Sequence, residues 1–127
     1  MSIHEAGENY LEQIYMLSRQ QDKIRAVDIC ASLGFSRPTV SVMLRDLRAQ
    51  GFVTTADNGG IALTPAGEEI ALRMYERHCI IAETLMVLGV SRENALNDAC
   101  KIEHDISEET FQRLRDHLEQ HKREQNH

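Results

Sequence analysis

The stretch that decides the fold is residues 27–53, VDICASLGFSRPTVSVMLRDLRAQGFV. Its apolar residues recur at three- and four-residue spacing, which predicts two helices. Gly34 lies between them, where a glycine suits a helix C-terminus. Ser36 can cap the second helix, Pro38 lies in its first turn and Gly51 ends it. The stretch therefore predicts a helix-turn-helix.

The residues on both sides extend this motif. A first helix is predicted from about Ile3 to Arg19, where Ser2 and Glu5 have the spacing of a capping box. After the motif, the β-type runs FVTT and IALT flank DNGG, and Asn-Gly between such runs is typical of a hairpin. Three helices followed by a hairpin make a winged helix-turn-helix. In that architecture the third helix enters the major groove of DNA.

The second half of the chain is predicted to be helical. A long helix should run from Pro65 to about Leu88, and Ser91 and Ser107 can cap two further helices. The stripe of the long helix is more apolar than a solvated helix needs, which makes it a candidate dimer contact. We therefore expect a mainly α protein with a small β-hairpin wing, divided into a winged helix-turn-helix domain at residues 1–66 and a helical domain at residues 67–127.

The third helix offers a DNA-binding face, although the whole chain has a formal net charge of −6. Nucleic-acid-binding domains usually carry positive charge, and residues 36–48 are locally basic, with three arginines and one aspartate. The leading residues of the third helix can approach bases and phosphates, and two later arginines can reach the DNA backbone. The predicted DNA-binding residues are Ser36, Arg37, Pro38, Thr39, Ser41, Arg45 and Arg48. The alternative is a protein-interaction module without DNA affinity.

The short motif CKIEH, at residues 100–104, combines three residue types that bind metals. On a helix, Cys100, Glu103 and His104 would point the same way, and thiolate, carboxylate and imidazole are common ligands of transition metals. Taken alone, the motif fits a small buried cysteine beside two solvated polar groups better. His78 lies on the apolar stripe of the long helix, where a lone histidine is usually a hydrogen-bonded core residue.

The bulk composition excludes several classes of protein. No apolar run approaches the length of a membrane span, and the N-terminus lacks the pattern of a signal peptide. The three cysteines are odd in number and widely spaced, which is typical of reduced thiols in a cytoplasm. There is no nucleophile–base pair and no phosphate-cradling loop. We therefore expect a cytoplasmic protein that is not an enzyme and does not bind a membrane.

Five segments together resemble a known family: NYLEQIYML, the helix-turn-helix stretch, LTPAGEEIA, the pair RH at residues 77–78, and NDACKIEHDIS. In order and spacing they are similar to the diphtheria toxin repressor and manganese transport regulator family of metal-dependent transcriptional repressors, from Glu8 to about Leu118. The resemblance implies a homodimeric repressor of metal homeostasis genes. It also implies a divalent metal that binds between the first helix and a dimerisation and metal-binding domain. The length of the chain implies the short form without the SH3-like domain of some members.

The resemblance implies a set of metal ligands. His78 matches the family's histidine on the long helix, and Glu103 and His104 match its Glu-His pair. Glu12 matches the first-helix glutamate of the manganese regulators. With the two positions that depart from that type, the implied ligands are His78, Cys100, Glu103, His104, Glu12 and Asn9.

The two departures bear on the choice of metal. Cys100 stands where manganese regulators have a glutamate, and it matches the cysteine of the iron-responsive branch. Asn9 stands where they have an aspartate, and its amide oxygen is neutral and a weaker ligand. Carboxylate-rich sites suit Mn²⁺, whereas a thiolate favours Fe²⁺, Co²⁺ or Zn²⁺. We expect one metal per subunit, with Fe²⁺ first and Mn²⁺ second, and with Zn²⁺ or Co²⁺ also able to bind in vitro.

Metal would then act by linkage: it ties the first helix to the helices of the second domain and stabilises one spacing of the two recognition helices. An alternative stays open. A winged-helix regulator could instead sense thiol oxidation or an organic ligand, with the polar cluster purely structural. That alternative predicts DNA binding that is indifferent to a chelator.

Overall fold

The computed structural model describes residues 5–126. These residues form two compact units, which are divided between Arg73 and Met74. The elements in chain order are α1 (Glu5–Ser18), α2 (Ala26–Leu33), α3 (Arg37–Ala49), β1 (Val53–Thr55), β2 (Ile61–Leu63), α4 (Pro65–Val87), α5 (Arg92–Ile102) and α6 (Glu108–Gln125). The predicted start of the first helix at Ile3 and its cap at Ser2 lie outside the described residues. No helix within residues 5–126 has the length and apolar character needed to cross a membrane.

One hydrophobic core holds the helices of the first unit together. Leu11 of α1, Ile29 of α2 and Leu47 of α3 are each at most 1% exposed. Burial of such a side chain contributes about 1.5–3 kcal/mol. The shared core therefore sets the position of α3 against the two preceding helices, as the helix-turn-helix prediction requires.

The turn between α2 and α3 has the predicted chemistry. Gly34 has φ 74° and its N–H donates to the carbonyl of Cys30, which closes the C-terminus of α2. That left-handed conformation is open to glycine at little cost. Ser36 accepts a hydrogen bond from the N–H of Thr39 and caps α3. Both predictions are confirmed.

The wing is a two-stranded antiparallel hairpin, in which Val53 pairs with Leu63. Thr64 follows β2, and its hydroxyl accepts from the N–H of Gly67 at 3.2 Å, so it caps α4. A Cβ atom at Gly67 would overlap the carbonyl oxygen of Phe52. The start of α4 therefore approaches the wing so closely that only glycine fits there.

In the second unit, α4, α5 and α6 pack around a small apolar cluster that includes Ile81 and Ala99. Ser91 and Ser107 cap α5 and α6, as predicted. The prediction that one helix contains all of CKIEH was wrong, because α5 ends at Ile102. Ser107 has an extended backbone, with ψ 162°, in order to cap α6. The chain therefore leaves the helix before Ser107, and residues 103–106 form a turn.

Candidate metal centre and DNA-binding face

Three side chains of the second unit meet at a buried carboxylate. Glu103 follows the last residue of α5 and is 0% exposed. Its Oε2 lies 3.1 Å from Nδ1 of His78 on α4, and its Oε1 lies 3.2 Å from Nε2 of His104. The histidine side chains are only 12% and 3% exposed. The structure thus brings together three of the predicted ligands, two of which come from the turn after α5.

Cys100 joins the same cluster from the last full turn of α5. Its Sγ lies 3.7 Å from Nδ1 of His78, the nitrogen that also contacts Glu103. The residue is exposed, so the alternative of a small cysteine buried in the core is wrong. Nδ1 of His78 therefore contacts both an oxygen of Glu103 and the sulfur of Cys100.

The cluster changes the protonation of His78. The hydrogen bond to Cys100, and after it the hydrogen bond to Glu103, raise the pKa of His78 from 6.5 to about 10, against the opposing effect of burial. The protonated imidazole offsets the charge of the buried Glu103 carboxylate. A metal ion that binds here takes the place of that proton, because a ligating imidazole must be neutral on the nitrogen that binds.

The donors fit a divalent transition metal in type, and three of the distances between them are compatible with shared ligation. Ligand bonds of about 2.0–2.3 Å place neighbouring donors roughly 2.9–3.8 Å apart. The separations of 3.1, 3.2 and 3.7 Å lie within that interval. Imidazole nitrogen, carboxylate oxygen and thiolate sulfur together suit iron, cobalt or zinc, and carboxylate with imidazole also suits manganese. His78, Cys100, Glu103 and His104 are therefore able to hold such an ion.

The two ligands predicted on the first helix belong to the first unit. Asn9 and Glu12 lie three residues apart on α1 and so share a face of that helix. Glu12 is 4% exposed, and Asn9 is partly buried. A buried carboxylate occurs in proteins where its charge is paired or binds a cation.

The predicted DNA-binding residues all lie exposed on α3 or at its cap. Arg37 and Arg45 are free of the core and present their guanidinium groups on the surface of the first unit. Arg48 is exposed too, but its Nη1 donates to Oγ1 of Thr55 in β1 at 2.9 Å. Arg48 therefore also connects α3 to the wing.

Two residues that the sequence analysis did not select have defined positions. Val42 is 48% exposed in the middle of the α3 face. Its signal in the sequence was an apolar residue outside the inner stripe of that helix. Arg77 precedes His78, is 8% exposed and donates to two backbone carbonyls of the turn after α5. No sequence pattern reveals such a role, because the acceptors are main-chain oxygens.

Two family descriptions match the chain. Residues 3–61 match the N-terminal DNA-binding domain of the iron-dependent repressors, and residues 64–127 match their metal-binding and dimerisation domain. The transcriptional regulator MntR of Salmonella typhimurium is 41% identical over 114 residues, which cover 90% of this chain and 73% of that protein.

Solved structures with the same fold include a manganese regulator, SloR, with a TM-score of 0.79 and 30% identity, where the match covers 94% of this chain and 55% of that one. A manganese-dependent transcriptional repressor in complex with manganese has a TM-score of 0.80 and 30% identity, covering 88% and 52% of the two chains. The chain thus spans about half the length of these solved structures.

A winged helix-turn-helix unit, together with a helical unit that matches a metal-binding and dimerisation domain, defines the class of metal-dependent transcriptional regulators. The chain belongs to the iron-dependent repressor family, that of the diphtheria toxin repressor and the manganese transport regulators. The resemblance found in its motifs is confirmed. Membership brings a DNA-binding domain and a metal-binding and dimerisation domain.

Proposed function

We propose that this protein is a homodimeric transcriptional repressor of metal homeostasis genes that binds its operator when a divalent transition metal, Fe²⁺ or Mn²⁺, is bound. The observation that carries the proposal is the cluster around Glu103, where two histidines contact one buried carboxylate and Cys100 contacts the nearer ring nitrogen of His78. A site of this kind in a DNA-binding family fits a sensor better than a purely structural core, because it combines the nitrogen, oxygen and sulfur donors that transition metals bind.

The proposed ligands are of two kinds. His78, Cys100, Glu103 and His104 are supported by their mutual distances within the second unit. Glu12 and Asn9 are supported by the family resemblance and by their shared face on α1. We propose domains at residues 1–66 and 67–127, with the first helix contributing to the metal site. A cytoplasmic location stays a prediction.

The preference between Fe²⁺ and Mn²⁺ depends on Cys100. A thiolate ligand favours Fe²⁺ over Mn²⁺, and this is our first choice. Manganese regulators among the similar structures support Mn²⁺ as the second. Cys100 is exposed and an accessible thiolate oxidises readily, so the two metals are best compared by competition under anaerobic conditions.

The proposed DNA contacts follow the exposed face of α3. Ser36, Thr39 and Ser41 are small polar residues that can approach base edges, and Pro38 lies beside them. Arg37, Arg45 and Arg48 are expected to contact phosphates, which dominate affinity and make it depend on salt. The two-fold symmetry of a dimer would require two half-sites in the operator.

The proposed activation is a coupled equilibrium. On the family resemblance, Asn9 and Glu12 of α1 would hold the metal together with the ligands of the second unit, so metal binding would be coupled to the DNA-binding unit. A tenfold preference of the metal for the DNA-binding arrangement is worth about 1.4 kcal/mol, and the same factor then applies to DNA binding in the presence of metal.

The experiment that tests this function is anaerobic binding of the reduced protein to DNA from its own promoter region, measured by fluorescence anisotropy. Binding is measured with chelator and then with Fe²⁺, Mn²⁺, Zn²⁺ and Co²⁺ in turn. We expect binding to require metal and the ranking of metals to report the role of Cys100. Equally tight binding in chelator would overturn the proposal and favour a sensor of thiol oxidation or of an organic ligand.

A further inference from the structure

We propose that Arg77 is a positioning residue: it holds the turn that carries Glu103 and His104 in the conformation that metal binding needs. The inference rests on the proposed metal site and concerns the backbone of the turn that carries two of its ligands. The turn of residues 103–106 lies between the end of α5 and the cap of α6. Two ligands therefore come from a segment that lies outside the regular helices.

Arg77 supplies the support from α4. Its Nη1 donates to the carbonyl oxygens of Glu103 and Ile106, each at 3.1 Å. These two acceptors lie on either side of His104 in the chain. Its Nη2 donates to Oε2 of Glu108, in the first turn of α6, at 2.7 Å. One guanidinium group thus joins the end of α5, the turn and the start of α6.

The turn needs an external donor for a general reason. The last carbonyls of a helix have no partner within the helix, and a cation near them also interacts favourably with the helix dipole. Inside the turn, the N–H of Asp105 donates to the carbonyl of Ile102 at 3.0 Å. The carbonyl of Glu103 points instead to Arg77, so the direction of the Glu103 backbone depends on that contact.

Arg77 is itself held in place. Its guanidinium carbon lies 5.2 Å from the centre of the Phe111 ring, and Phe111 is 2% exposed. Arg115 lies over the same ring at 4.8 Å and forms an ion pair with Glu76. Such contacts between cations and aromatic rings restrict the orientation of a planar guanidinium group. The contact with Phe111 therefore restricts the orientation of the Arg77 guanidinium group.

The positions of Arg77 and His78 in the chain add to this effect. They are consecutive on α4, so one turns to the backbone of the ligand-bearing turn and the other to the Glu103 carboxylate. The helix therefore fixes the same ligand at two points, its carbonyl and its side chain. Groups that orient metal ligands typically contribute about tenfold to a hundredfold to metal affinity.

The test compares Arg77→Met and Arg77→Lys with the control Arg115→Met. Methionine keeps much of the apolar stem, and lysine keeps the charge but not the planar fork of donors. The control removes the other cation over Phe111 and leaves the contacts to the turn intact. Thermal unfolding first establishes that each variant folds. If Arg77→Met does not fold, Arg77→Lys alone is compared with the control.

The first measurement is hydrogen exchange of the metal-free protein, which needs no bound ion. In the Arg77 variants we expect the amides of Glu103 and Asp105 to exchange about tenfold faster or more, because the turn opens locally. Exchange in the core of the second unit and in the Arg115→Met control should stay as in the parent. Unchanged exchange in a folded Arg77 variant would overturn the proposal.

The second measurement is titration with Co²⁺, whose visible spectrum reports the ligands around it. We expect the Arg77 variants to bind Co²⁺ about tenfold to a hundredfold more weakly and with an altered spectrum, and Arg115→Met to match the parent. Parent-like affinity and spectrum in the Arg77 variants would refute the positioning role. A parent protein that binds no Co²⁺ or other divalent metal would instead refute the proposed function, and the exchange data would still decide the role of Arg77 in the turn.

Discussion

Glu103→Gln is the substitution that separates metal binding from folding most clearly. It keeps the size of a side chain that is 0% exposed and removes its charge. An amide offers one oxygen and one NH₂ group, so the hydrogen bond to His78 at 3.1 Å can persist without the charge of the carboxylate. The variant is therefore expected to fold.

The two effects differ in size. A hydrogen bond to a charged group contributes about 1.5–3 kcal/mol and a neutral one about 0.5–1.5 kcal/mol, so exchanging the bond between Glu103 and His78 costs the metal-free protein roughly 1–1.5 kcal/mol. Groups that merely support a ligand change metal affinity by about tenfold to a hundredfold. Loss of the ionised ligand itself should cost at least about a hundredfold, or roughly 2.7 kcal/mol of binding free energy.

Affinity is measured by anaerobic competition of Fe²⁺ and of Mn²⁺ with a chelating dye, and the free energy of unfolding by urea titration in chelator. The control is Glu119→Gln, the same chemical change at an exposed position of α6, which should alter neither quantity. If folded Glu103→Gln bound both metals as tightly as the parent, the carboxylate would not be a ligand and the reasoning from its burial and contacts would be refuted.

Three further predictions follow from the fold. Arg45→Ala should weaken operator binding and lower the slope of log K against log salt by about 0.9, if it contacts one phosphate; anisotropy at several salt concentrations measures this. Gly67→Ala should lower the free energy of unfolding by about 1–3 kcal/mol, because the added Cβ would overlap a carbonyl oxygen. Urea unfolding measures this, and an unchanged free energy of unfolding would contradict it. Hydrogen bonds from Gln112 and then Arg77 hold the pKa of Glu108 below its ordinary 4.5. The stabilisation from ionised Glu108 is complete above the ordinary pKa and disappears as the pH falls through the lowered pKa. The Tm of Glu108→Gln should therefore depend less on pH in acid than the Tm of the parent.

The fold could be predicted largely from local chemistry. Gly34, Ser36 and Ser107 mark helix ends through contacts with residues three or four positions away, and such contacts are visible in a single sequence. The hairpin followed from its turn residues for the same reason. The end of α5 could not be predicted in this way, because the motif CKIEH has helical spacing and the break depends on the cap of the next helix.

The candidate site was predicted in its residue types and not in its geometry. Cys100, Glu103 and His104 were close in sequence, and only the family resemblance linked them to His78. The exposure of Cys100 was not predictable, because a cysteine on an amphipathic helix fits a core and a surface equally well. The exposure of Val42 was missed because the residues selected on α3 were small, polar or cationic ones.

The sequence by itself determined the helix-turn-helix, the wing and the family, because periodicity, caps and turn residues act over a few positions along the chain. Only the tertiary structure decided that one carboxylate oxygen of Glu103 meets each histidine, and that Arg77 binds the turn beneath them. The contacts that His78 and Arg77 make with Glu103 join residues 25 and 26 positions apart in the chain. Their geometry depends on how α4 packs beside α5 and α6, and packing of that kind arises from the whole core and leaves no short pattern in the sequence.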